Sequence, residues 1–199
     1  MAGQVFAYIK HANGVLDDSA LELLTAAKKI SDQPVTAIVT GSGVDNVCNE
    51  AAKAYSEVWK IDNDALSYPN AEIVRKALLD LLPTDAVVLF PHDTFGMDLA
   101  PGLSIKLDSA FVSDIVDIEA IEGDTMKVVR QEFSGQVNTH VSCDLSAGAV
   151  LNVRPGVYAA DDPHAGAEQH RHPREVAELL LGLDAADLYL AVLAEREEQ

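Results

Sequence analysis

Cysteine is scarce in this chain: Cys48 and Cys143 are the only two, far apart and in no Cys-x-x-Cys or Cys/His spacing. A disulfide framework and a thiolate metal centre are excluded as organising features, and the usage fits a reducing cytoplasm, where both read as ordinary buried thiols. Basic residues are short as well, 14 Lys and Arg against 32 Asp and Glu for a formal net charge of −18, with no Lys/Arg run. Nucleic acid or an anionic membrane would approach against repulsion, which leaves proteins and small molecules as partners. The apolar run at 86–90 falls far short of the ~20 residues that cross a bilayer, so no membrane insertion is expected. Residues 1–9 alternate as a strand does and lack the basic, apolar and small-residue succession of a secretory leader. Polar low-complexity tracts and repeats of solenoid length are missing too, which excludes extended disorder and repeat arrays.

What remains is 199 residues, 48% of them apolar, enough for a real core in one large domain or a domain with an appendage. Residues 4–9 read as a strand, His11-Ala12-Asn13-Gly14 as a turn, and Asp18-Ser19 as the cap of a helix carrying Leu21, Leu24 and Ala27. Residues 35–40 are a β-branched run ending at Gly41-Ser42-Gly43, after which Val44, Val47, Ala51 and Ala54 share one helical stripe. A third strand is read at 57–61, and Asn70 caps a helix carrying Ile73, Ala77, Leu78 and Leu81, with Pro83 just past its end. Ala86-Val87-Val88-Leu89-Phe90 is continuously apolar, the mark of a strand buried on both faces of a parallel sheet, and a fourth helix is read at 99–107. This alternation predicts an α/β fold, a mainly parallel three-layer sheet with helices on both faces. From Phe111 the texture changes. Runs at 112–115, 126–130, 137–142 and 150–154 are separated by Glu122-Gly123-Asp124, Ser134-Gly135 and Ala147-Gly148, which are hairpin signals. They predict a small antiparallel extension, with 149–153 returning to the main sheet. The domain is expected to span residues 1–160, followed at 161–199 by a connector and a short carboxyl-terminal helical segment.

Residues able to carry chemistry are few. Gly41, Ser42 and Gly43, between a strand and a helix, read as a tight turn, with a phosphate cradle as the alternative, since glycines let backbone amides approach an anion. No third spaced glycine and no Gly-Lys-Ser/Thr ending follows. His164, His170 and His172, with Asp161 and Asp162, are metal-ligand types in a Pro/Gly-flanked connector that does not fix their geometry, so no metal is expected. No serine stands in a Gly-x-Ser-x-Gly elbow. His92 follows the buried strand at the carboxyl edge where open α/β sheets place ligands, with no second catalytic group beside it in sequence. Asp98 is read near a helix start, with Pro101 in the first turn. Arg154-Pro155-Gly156 sets a fixed cation beside a rigid turn, ready to pair with a carboxylate.

Taken in order, these segments resemble the amino-terminal domain of the electron transfer flavoprotein alpha subunit. Leu21 to Lys29 looks like its first helix, and Gly96-Met97-Asp98-Leu99-Ala100-Pro101 resembles its Gly-Arg-Asp-Leu-Ala-Pro signature. Val112-Ser113-Asp114-Ile115 is similar to its Ser-Asp strand, and Phe133-Ser134-Gly135-Gln136 stands where the family tends to have Tyr-Ala-Gly-Asn. Asn152-Val153-Arg154-Pro155-Gly156-Val157-Tyr158 looks like its Thr-Val-Arg-Pro-Gly-Ala-Phe strand and turn. Met97 and Gly102 depart from it, standing where the family commonly has arginine.

The resemblance implies a scaffold or interaction subunit of a flavin-based electron-transfer complex, non-catalytic by itself. The family's alpha subunit continues into a second domain that binds most of the FAD. Asp187 to Val192 faintly resembles that domain's first strand, but Leu193-Ala194-Glu195-Arg196 stands in place of its Gly-Arg-Gly turn. The expectation is therefore that this chain alone binds no cofactor tightly, with FAD or AMP held only in complex with another chain. The implied partner is a beta-like or flavin-domain subunit, or a second copy in a homodimer, and Asp98, Ser113, Asp114, Arg154 and Tyr158 are the candidate contacts. The competing reading is a free-standing adenine-nucleotide-binding α/β protein using Gly41 to Gly43.

Overall fold

The computed structural model describes residues 3–160 and 174–175. In chain order the elements are β1 (Val5–Tyr8), a small hairpin of β2 (His11–Ala12) and β3 (Val15–Leu16), α1 (Ser19–Ile30), β4 (Thr36–Gly41), α2 (Asp45–Ala51) and β5 (Glu57–Asp62). There follow α3 (Ala71–Leu81), β6 (Val87–Pro91), α4 (Thr94–Leu107), β7 (Ala110–Glu122), β8 (Thr125–Glu132), β9 (Val137–Asp144), β10 (Ala149–Val153) and β11 (Arg174–Glu175). Among the described residues nine strands form one sheet in the order β11-β5-β4-β1-β6-β10-β7-β8-β9. Pairing is parallel from β11 to β7 and antiparallel through β8 and β9.

Strand alternation sorts the side chains onto two cores. On β1 and just past its end, Val5, Ala7 and Ile9 join one apolar cluster, which α1 and α2 cover with Leu23, Ala27, Val47 and Ala51. Phe6 and Tyr8 turn to the other, covered by α3 and α4 with Val74, Leu78, Leu99 and Leu103. The run on β6 follows the same rule, Val87 and Leu89 facing one cluster and Val88 and Phe90 the other. This is the predicted three-layer α/β sheet with helices on both faces.

Several local readings hold, and others are corrected. Asn70 caps α3, its Oδ1 accepting from the amides of Glu72 and Ile73 at 3.0 and 3.2 Å. At α1, Asp18 holds the cap position as expected but makes no side-chain cap bond, and the neighbouring Asp17 accepts from the Ser19 amide at 3.0 Å and the Ser19 hydroxyl at 2.5 Å. The fourth helix begins at Thr94, five residues before the predicted Leu99, because Asp93 accepts from the Gly96 amide at 2.8 Å. Asp98 and Pro101 therefore lie inside α4 and not in its first turn, and Pro101 leaves the Met97 carbonyl without its i→i+4 donor. The strand read at 112–115 is part of a strand of 13 residues. The run at 149–153 does return to the main sheet, where β10 lies between β6 and β7. The connector and carboxyl-terminal helical segment expected at 161–199, apart from β11, and with them the histidine cluster, lie outside the described residues. No described helix is long and apolar enough to cross a membrane.

Candidate functional site

The strand order reverses at β1: β4 and β5 lie on one side, β6 and β10 on the other. The carboxyl ends of β1 and β6 therefore part, and a cleft of about 440 Å³ opens there, lined by Tyr8, Lys10, His11, Phe90, Asp93 and Phe95 among others. Tyr8 stacks on Phe90 and Phe95, with ring centroids 5.2 and 5.7 Å away. Burial pushes its phenol up to about 12, and its hydroxyl lies 2.6 Å from that of Thr40. His11 Nε2 donates to the Thr40 carbonyl at 2.8 Å. Lys10 and Asp93 close on each other at 2.9 Å, and that bond holds the ammonium above its usual range. The polar groups of this cleft are thus largely engaged with one another.

The Gly41-Ser42-Gly43 turn borders the same end of the sheet. Two amides at its end are occupied: Gly43 N–H and, just after the turn, Val44 N–H donate to the Asp62 carboxylate at 2.8 and 3.2 Å, and the Ser42 hydroxyl donates to Asp64 at 3.0 Å. A phosphate would have to displace one carboxylate and lie beside another.

On the other side of β6, the carboxyl edge gathers residues that are remote in sequence. Between β7 and β10 the register shifts, three steps on β7 from Val112 to Ile115 matching two on β10 from Leu151 to Val153. Asp114 takes up this bulge with φ of +60°, a left-handed conformation that Asp tolerates better than most residues. The bulge aims its carboxylate at Arg154, which donates from Nε to Oδ1 at 2.8 Å and from Nη2 to Oδ2 at 2.6 Å. Nη1 of Arg154 donates to the Gln131 side chain on β8, so one guanidinium ties three strands together. His92 Nε2 lies 3.7 Å from Asp114. The Arg154 hydrogen bonds hold the Asp114 carboxyl below its usual range against the opposing effect of burial.

The five candidate contacts do not converge. Asp114 and Arg154 are joined, with Ser113 half-buried beside them on β7. Asp98 is exposed on α4, on the opposite face of the sheet from Tyr158, which packs against the α1 side with Lys29 Nζ 5.3 Å from its ring centre. Over Gly102 lies the guanidinium of Arg75 from α3, whose Cζ is 2.6 Å from where a Cβ would stand and whose Nη2 donates to the Asp98 carbonyl at 3.1 Å. A cation thus fills that place from a neighbouring helix. Gln131, Asp62 and Asp93 were not anticipated. Only Asp93 carried a local signal, an aspartate just ahead of a helical segment. Cys48 and Cys143 are buried, and burial pushes their thiols up to about 12 and about 11. Among the described residues no group of His, Cys, Asp and Glu is placed to hold a metal ion.

Replacing Asp114 by Asn is expected to cost about 2 kcal/mol at neutral pH, the loss of a bidentate charge-assisted pair that is only partly shielded from solvent. Because the folded-state pKa of Asp114 is depressed, its contribution is complete above the unfolded value of about 3.9 and is lost as pH falls through the depressed value. Urea unfolding of wild type and Asp114→Asn across a pH series should show the gap closing in acid. A gap that stays constant down to the acid limit contradicts the assignment.

The chain is similar to the protein FixB of Clostridium saccharobutylicum, 28% identical over 161 residues that make up 77% of this chain and 48% of that protein. It is 26% identical over 159 residues to the electron transfer flavoprotein subunit alpha of Thermoanaerobacterium thermosaccharolyticum, with the same shares covered. A probable mitochondrial electron transfer flavoprotein subunit alpha of Cryptococcus neoformans var. grubii is 32% identical over 121 residues, 58% of this chain and 35% of that one. The chain spans about half the length of the first two relatives or less. The electron transfer flavoprotein domain itself matches residues 5–179, taking in the bulge at Asp114, the Arg154 clamp and the whole described sheet, so the chain belongs to the electron transfer flavoprotein domain family.

Proposed function

We propose that this chain acts as a scaffold and interaction subunit of a flavin-based electron-transfer complex in the cytoplasm, with the FAD carried chiefly by another chain and a beta-like or flavin-domain subunit as its partner. The observation that carries this reading is the state of the polar groups at the carboxyl edge. Arg154 spends its guanidinium on Asp114 and Gln131, and Lys10 is engaged by Asp93. Such a clamp fixes the shape of a platform and keeps both cations engaged within the chain. The signature helix α4 supports the same reading, since it turns Met97 and Ile105 outward at 48% and 77% exposure while its inner face is buried. Apolar groups displayed on a helix of this kind suit burial against a second protein.

Titration of the purified chain with FAD, and separately with AMP, followed by fluorescence, tests this reading. No saturable binding of FAD in the sub-micromolar range is expected, because Asp62 already holds two amides at the end of the glycine turn and the surroundings are acidic. Tight FAD binding by the chain alone overturns the reading. Tight binding of AMP with none of FAD favours the nucleotide-binding alternative, with Gly41 to Gly43 as its site.

A further inference from the structure

We infer that the cleft between the carboxyl ends of β1 and β6 is a binding site for a neutral nucleoside, a flat heteroaromatic base with N–H donors and no phosphate. Its volume of about 440 Å³ lies in the range of small-molecule sites, and it stands where open α/β sheets place their ligands. Segments remote in sequence build it: the loop after β1, the turn after β4, the loop ahead of α3 and the start of α4. What the cleft can take follows from what its neighbours already use. Asp93 caps the Gly96 amide with one carboxylate oxygen and holds Lys10 with the other. Asp62 accepts from the amides of Gly43 and Val44, and Asp64 holds the Ser42 hydroxyl. These amides and this cation would be the natural seat of a phosphate, and each already faces a carboxylate. In a chain of net charge −18 an anionic ligand is repelled here.

Two features remain unused, and both suit a base. The first is a single nitrogen. His11 lines the cleft, and its Nδ1 is buried with no hydrogen-bond partner. Its Nε2 lies 2.8 Å from the Thr40 carbonyl, which can only accept, so Nε2 carries the proton. In the neutral ring Nδ1 is then a lone-pair acceptor, and a buried acceptor left unpaired is costly until a donor reaches it. The second feature is aromatic. Phe90 and Phe95 both stack on Tyr8, and Tyr68 lines the same cleft while 79% exposed. A flat ring laid between Tyr68 and this stack would cover apolar surface on both its faces. Its ring N–H or amino group would give His11 Nδ1 the donor it lacks. Adenine, guanine and uracil all carry such a donor, and a nucleoside brings no charge to the surrounding carboxylates.

The inference does not rest on the scaffold reading, whose FAD titration has its own outcome whatever binds in this cleft. Its test is calorimetric titration of the full chain with adenosine, guanosine and uridine, each beside its 5′-monophosphate, together with nitrogen NMR of the histidine side chains. At least one nucleoside is expected to bind saturably below about 1 mM, and its monophosphate at least tenfold more weakly, a gap that widens at low salt. On saturation with that nucleoside the Nδ1 resonance of His11, assigned with His11→Ala, should move away from that of an unbonded acceptor nitrogen. Tyr68→Ala changes an exposed side chain, so it should keep the wild-type circular dichroism while weakening nucleoside binding about tenfold through the lost stacking ring. Failure of all three nucleosides to bind overturns the inference. So does a monophosphate that binds as tightly as its nucleoside or more so, or nucleoside binding that leaves either the His11 resonance or the affinity of Tyr68→Ala unchanged.

Discussion

Val88→Asp is expected to abolish cooperative folding or to cost more than about 4 kcal/mol, the largest single effect in the described sheet. Val88 is fully buried on β6, the middle strand of nine, with Phe6 of β1 on one side and Val150 of β10 on the other. Its side chain belongs to the cluster beneath α3 and α4, among Phe90, Leu99 and Leu103, where nothing can pair a carboxylate. The new group would either remain charged without a partner or take up a proton at a raised pKa. The deficit should therefore shrink as pH falls, as that of Asp114→Asn does, but here because protonation relieves the variant and there because the wild type loses its ion pair. Urea unfolding followed by circular dichroism measures it. A variant that melts within a degree or two of wild type would show that β6 is not the centre of the sheet.

Gly96→Ala is expected to cost on the order of 3 kcal/mol, although alanine is the better helix former. Gly96 lies in the first turn of α4, buried, where an added Cβ would press on the backbone carbonyl oxygen of Pro91 at the end of β6. A backbone atom cannot swing aside as a side chain can, so α4 would have to lift from the sheet. That movement would also strain the Asp93 cap on the Gly96 amide and, through Asp93, the ion pair with Lys10. Gly123→Ala provides the contrast. Gly123 has φ of +64° with open space around its would-be Cβ, so only the left-handed conformation is penalised, at about 1 kcal/mol. If the two variants unfold at the same denaturant concentration, close packing of α4 on β6 is not what requires glycine in the signature.

The sheet was legible because its signals are local and strong. The five-residue run at 86–90 could be buried on both faces only in a parallel sheet, and Asn70 announced the start of α3 through its own side chain. The antiparallel extension was legible for a related reason, since Gly123 and Gly135 stand at positive φ in the turns where glycine was read as punctuation. The start of α4 was misplaced because Pro101 suggested a helix beginning, when the helix tolerates it in the interior at the loss of one hydrogen bond. The site was less legible. Arg154 was expected to find a carboxylate, but which one depends on a bulge that turns Asp114 toward it across 40 positions of sequence, and no local pattern encodes that. In the same way, the capture of the Gly43 and Val44 amides by Asp62 depends on β4 and β5 ending side by side.

If this chain shapes a flavin complex whose cofactor is carried by another chain, as proposed above, a pair of visible spectra will show it. The chain is purified once alone and once as the complex recovered from its native host, and the visible absorption of each is recorded with mass spectrometry of its components. No flavin band is expected from the chain alone, and from the complex a near-stoichiometric flavin band together with a second, flavin-bearing chain. A near-stoichiometric flavin band from the chain alone, or recovery from the host without any flavin-bearing partner, would contradict the proposal.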